Sequence, residues 1–121
     1  FNQTNDAELS TIDSFSDSDM HKDLRKSGSK YSVNTISLID LLDKHDAPKD
    51  IDYLSIDTEG TEFEILNAFD FDSYNIKIIT CEHNFTDMRG SIYDLLVSKG
   101  YKRKYTQFSR FDDWYVLERQ I

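Results

Sequence analysis

At 121 residues, with 23 acidic against 14 basic side chains and a formal charge of −9, the chain has the length of one domain. That charge balance disfavours nucleic acid or an anionic membrane surface as the main partner, because phosphate groups require concentrated lysine and arginine. Eight Phe, seven Tyr and one Trp argue for a folded core in spite of a negative mean hydropathy.

The single cysteine, Cys81, excludes an internal disulfide and a zinc site built on cysteines, so a reducing, cytoplasmic compartment is expected. No apolar run reaches the length of a membrane span, and no signal-peptide pattern is visible. The chain opens on Phe1 rather than Met, which points to a longer parent, a processed product or an incomplete reading frame.

Residues 1–30 are polar, rich in Ser, Asp and Asn, and read as an irregular arm with one short helix over Ser18 to Lys26 around Met20 and Leu24. The sequons at Asn2 and Asn84 read as chance matches, and His21 carries no usable signal. Tyr31 to Ile36 alternates β-branched and aromatic residues as a short strand or extended lead-in. Ser37 followed by Asp40 caps a helix through Leu38, Leu41 and Leu42 that closes near His45, before Pro48.

Ile51 to Ile56 is a short apolar run with few polar interruptions, as in a buried parallel strand, and it places Asp57 at a carboxyl end. Gly60 supplies a turn. Thr61 with Glu64 then forms a capping box for a helix whose apolar stripe runs through Phe63, Leu66 and Phe69. Asn75 to Glu82 is apolar on both faces and reads as a central strand, with Cys81 as a buried packing residue.

A third helix opens at Thr86 or Asp87 and ends at Gly100, followed by strands Tyr101 to Gln107 and Trp114 to Glu118. The short connector Phe108 to Asp113 makes these two an antiparallel hairpin at the sheet edge. The sum is an α/β fold, parallel at its start and antiparallel at its end.

Two adjacent parallel strands would bring Asp57 and Glu59 to the same edge as Glu82, His83 and Asn84, where open α/β sheets bind their ligands. The competing account is that these acids only favour the positive end of the following helix.

Within IDTEGTEFEIL the chain resembles the FkbM family of S-adenosylmethionine-dependent methyltransferases. Asp57, Glu59, Gly60 and Glu62 match a D-V-E-G-x-E type motif, with Thr58 in place of Val. The segment VNTISLIDLL is similar to the family's approach to that motif, and IITCEHN to its next strand, so the likeness runs in order from Val33 to Val116.

The resemblance implies a partial Rossmann-like, class I methyltransferase-like sheet over residues 31–121, completed by an antiparallel last strand. It implies Asp57 and His83 as catalytic candidates, with His83 either a base or a structural donor. Glu59, Glu82 and Asn84 would position substrate or cofactor, and Gly60 and Glu62 would form the motif turn.

The acceptor it implies is a small-molecule or glycan hydroxyl. The family's cofactor, S-adenosylmethionine, is held through a glycine-rich turn upstream. Gly28, Gly60, Gly90 and Gly100 form no such turn, so this chain corresponds to the C-terminal half and no cofactor is expected on it alone.

Two alternatives stand beside that reading. One is a non-catalytic truncated module that self-associates as a homodimer through the Ile51 to Ile56 edge. The other is a metal-dependent hydrolase built on Asp57, Glu59, Glu82 and His83, which no HxH or HExxH spacing supports.

Overall fold

The computed structural model describes residues 2–3, 29–30 and 32–118. Strands β1 (Asn2–Gln3) and β2 (Ser29–Lys30) pair antiparallel, joining the two ends of the polar arm. The helix expected over Ser18 to Lys26 lies outside the described residues.

Residues 32–37 form no strand and serve as the lead-in to helix α1 (Leu38–Lys44). The Ser37 hydroxyl oxygen accepts the Asp40 amide at 3.2 Å, so the cap read from sequence is in place, and His45 closes the helix. Leu38, Ile39 and Leu42 pack against the core, and Tyr74 donates its hydroxyl to the Asp43 carboxylate at 2.6 Å.

The main sheet has four strands in the order β3 (Asp50–Ile56), β4 (Asn75–Glu82), β6 (Asp112–Leu117) and β5 (Tyr101–Lys104). Strands β3 and β4 run parallel, joined across α2 (Glu62–Asn67), while β4–β6 and β6–β5 are antiparallel. Helix α3 (Met88–Ser98) links β4 to β5 and stops where Gly100 adopts φ 97°, a conformation that glycine enters freely.

The last strand is inserted beside the central β4, and the earlier β5 takes the outer position. The hairpin's turn also differs from its sequence reading. β5 ends at Lys104 because Tyr105 turns left-handed (φ 59°) to open the one-turn helix α4 (Thr106–Ser109), and β6 begins at Asp112.

A second correction concerns the start of α2. The Thr61 hydroxyl donates to Thr58 Oγ1 rather than capping an amide, and Glu64 is exposed. The buried Glu62 carboxylate instead ties the turn that precedes the helix, as described below.

The core gathers residues of the sheet with those of α2 and α3. Leu66, Ile76, Ile79, Leu96 and Tyr115 are fully buried, and Tyr101 donates its hydroxyl to the Ile76 carbonyl at 2.6 Å. Phe69, Phe71, Tyr74 and Tyr101 form a chain of ring contacts at one end. Cys81 is 1% exposed and burial pushes its thiol far up, so it packs and does not react. No helix among the described residues is long and apolar enough to cross a membrane.

Because Leu66 fills the α2–sheet contact with no exposure, Leu66→Ala is expected to lower unfolding free energy by about 2–5 kcal/mol. Phe108→Ala, at a 66% exposed ring, is expected to change it by no more than about 0.5 kcal/mol. Urea unfolding of both variants checks the pair.

Candidate functional site

The register that sets Ile56 opposite Cys81 places Asp57 beside Glu82, and antiparallel pairing sets Asp112 opposite Glu82. Three strands thus end in carboxylates along one edge. Asp57 is exposed, Glu82 and Asp112 are half-buried, and Glu59 and Glu62 are buried behind them.

The β3 turn is strained and tied. Glu59 has φ 57° and Gly60 φ 122°, the first costing roughly 1–3 kcal/mol in a residue with a side chain. Glu62 holds the turn by accepting the Thr58 amide at 2.7 Å, the Thr58 hydroxyl at 3.1 Å and the Gly60 amide at 3.1 Å. The buried carboxyl oxygens thereby find donors within the turn they hold.

The β4 end has the same character. Asn84 (φ 43°) and Phe85 (φ 56°) are left-handed in succession, and Asn84 Nδ2 donates to Glu82 Oε1 at 2.7 Å. The His83 ring is buried, with Nδ1 accepting the Phe85 amide at 2.9 Å, while its own amide donates to the Phe111 carbonyl at 2.9 Å. An imidazole nitrogen that accepts carries no proton, so the ring is neutral with its hydrogen on Nε2. Burial is the main cause holding the His83 pKa below its ordinary value.

Electrostatically the edge carries unbalanced negative charge. Glu82 is pushed well up, first by burial, then by its hydrogen bond to Asp57 and the charges of Glu59 and Asp57. Asp112 is also raised, by burial and then by Asp57. Burial and the neighbouring acidic groups therefore bias the Glu82 carboxyl toward its neutral form.

Oxygens of Asp57, Glu62 and Glu82 lie within 4.8 Å of one another, close enough for one hard cation. His83 and Glu59 are outside that group, so the hydrolase set read from sequence does not converge on one point.

The cleft beside these residues is lined by Gly60, Glu62, Glu82, His83, Asn84 and Thr86, with Met88 and Ile92 as apolar lining. It encloses about 20 Å³, room for one water.

Sequence reading missed Asp112, Asp113, Arg89 and Arg103. Asp113 is 2% exposed and receives Arg89 Nε and Nη2, each at 2.8 Å, with Arg103 Nη1 3.5 Å away. Arg89 and Asp113 lie 24 residues apart and meet only because β6 inserts beside β4, which no local pattern signals.

An α/β sheet with carboxylates gathered at the carboxyl ends of its parallel strands is consistent with a methyltransferase-like domain. Residues 2–112 match the family model of the methyltransferase FkbM domain, and the chain belongs to that family. The match takes in the polar arm as well as the sheet through the start of β6. No curated relative and no solved structure matches the chain.

The protonation of Glu82 has a testable sign. A carboxyl held up by the fold contributes its stability fully below its ordinary value of 4.5 and loses it as pH rises toward the raised one. Glu82→Gln keeps an acceptor for Asn84 and a donor for Asp57 but cannot ionise. It is expected to be the more stable protein at pH 8 by about 1.4 kcal/mol, a figure that allows for the screening of a half-buried carboxyl by water. The gap should close below pH 4.5. Denaturant unfolding of both proteins across that range measures it.

Proposed function

We propose that this FkbM-family domain forms the acceptor side of an O-methyl transfer from S-adenosylmethionine to a small-molecule or glycan hydroxyl. The observation that carries this reading is the placement of the exposed Asp57 beside the half-buried Glu82 at adjacent parallel strand ends, where burial pushes the Glu82 carboxyl up. Two like carboxyls with different burial separate into an acid and a base, which is what orienting and deprotonating a hydroxyl requires.

In this reading Asp57, exposed at the end of β3, takes the hydroxyl proton. Glu82 in its acid form and the Asn84 amide orient the acceptor oxygen, and Glu59 lies behind them in the turn that Glu62 holds. His83, with Nδ1 bound to the Phe85 amide, positions the loop rather than removing a proton.

S-adenosylmethionine, which would supply the methyl group, finds no room in the cleft at the strand ends. A cleft of about 20 Å³ is far below the roughly 300–1,000 Å³ of sites for ligands of that size. The sequence holds no glycine-rich turn to cradle such a ligand. The proposal therefore assigns the cofactor to a further half of the enzyme, with this chain in a reducing, cytoplasmic setting where the buried thiol of Cys81 stays unpaired.

Self-association is the second reading. Among the described residues β3 pairs with β4 alone, and its Tyr53 ring is 56% exposed, so the outer edge is open to another strand.

Calorimetric titration of the 121-residue chain with S-adenosylmethionine and S-adenosylhomocysteine should give no saturable heat from a cooperatively folded protein. Tight binding by the chain alone would overturn the assignment of the cofactor elsewhere. Light scattering decides the second reading, since a monomer at high concentration rules out pairing through β3.

A further inference from the structure

Asp113 stands apart from the acidic row. Its side chain is 2% exposed, and the fork of Arg89, reaching from the first turn of α3, fixes the plane of its carboxylate. His83 is its third neighbour, with Nε2 at 3.7 Å from Oδ1 and the ring 1% exposed. That distance is beyond a hydrogen bond, yet at such burial a carboxylate strongly orients a nearby N–H dipole. The Arg110 backbone carbonyl also faces the ring.

The opposite ring nitrogen is committed. Nδ1 accepts the Phe85 amide at 2.9 Å, so a neutral ring has one acceptable tautomer, with the proton on Nε2. The reverse tautomer would aim a lone pair at the Asp113 carboxylate and an N–H at the N–H of Phe85. The amide so held belongs to a segment that needs holding, because Asn84 and Phe85 are both left-handed. Phe85 is also braced by ring contacts to His83 at 4.8 Å and Phe111 at 5.5 Å. With the loop so tied, Asn84 reaches Glu82 Oε1 at 2.7 Å.

We propose that Asp113, fixed by Arg89, is a positioning residue for the strand-end site: it holds His83 in the Nε2–H tautomer, which secures the Phe85 amide on Nδ1 and so aims Asn84 at Glu82. The proposal rests on the reading of Glu82 and Asn84 as groups that meet the acceptor. It adds a second layer to that reading, from β6 and α3, which the motif does not contain.

The test uses the full chain, with ¹⁵N spectra of the imidazole nitrogens and hydrogen exchange at backbone amides. Wild type should show one His83 tautomer and a protected Phe85 amide. Asp113→Asn keeps the volume but can turn its NH₂ toward Nε2, which accommodates the reverse tautomer. A mixed or inverted His83 tautomer is expected, with Phe85 exchange roughly tenfold faster while Ile79 exchange is unchanged.

A folded Asp113→Asn protein with the wild-type tautomer and a protected Phe85 amide would overturn the proposal and leave the Arg110 carbonyl as the orienting group. Should that variant fail to fold, Arg89→Met removes the fork from a side chain that is 31% exposed. It should move both readouts in the same direction, and no movement in either overturns the proposal. Neither readout depends on methyl transfer, so an inactive chain would bear on the functional reading and not on Asp113.

Discussion

Parallel pairing of β3 with β4, with Ile56 opposite Cys81, decides where every polar strand end of this protein lies. It leaves Asp57 and Glu82 no distance in which to avoid each other, and β6 adds Asp112 on the far side of Glu82. Water cannot fully screen a half-buried carboxyl, so Glu82 is pushed up toward its neutral form. A cluster of carboxyl groups in unlike degrees of burial follows from this register without a dedicated sequence device.

The opposite solution operates one residue further along β6. Asp113 is more deeply buried than any carboxylate of the row, yet two guanidinium groups meet it directly. A buried carboxylate stripped of such partners would be strongly destabilising, whereas a paired one mainly fixes geometry. Asp112 and Asp113 differ because neighbouring strand residues face opposite sides of the sheet. One side holds the like charges of Asp57 and Glu82, and the other receives Arg89 from α3.

Much of this was legible in the sequence, and the physical reason is locality. The course of strand β3, the Gly60 turn, helix α3 with its Gly100 stop, and the shared edge of Asp57 and Glu82 all follow from patterns within a few residues. Strand β3 is nevertheless a largely exposed edge strand and not the buried one its apolar run suggests. The Ser37 cap was readable for the same reason. Thr61 and Glu64 also fit a local pattern, but the Thr61 hydroxyl turns to Thr58 instead, and the buried Glu62 ties the turn before the helix through the Thr58 and Gly60 amides. Illegible were the contacts made by β6. Its insertion beside β4 is a matter of sheet order, and the aspartates of a presumed connector became a strand start only through that pairing.

Both strand ends turn out to use one construction. Each turns through left-handed residues, Glu59 and Gly60 after β3, Asn84 and Phe85 after β4. In each, a buried side chain close in sequence accepts the backbone N–H groups that the turn presents: Glu62 takes Thr58 and Gly60, and His83 takes Phe85. Such a tie offsets strain locally, so the turn does not depend on the groups at its tip for stability. Asp57 can then stay exposed and Glu82 can sit against it, although each disfavours the charge of the other. Glu62 and His83 are both buried, so the carboxylates at the edge are supported from beneath by groups already engaged with the backbone.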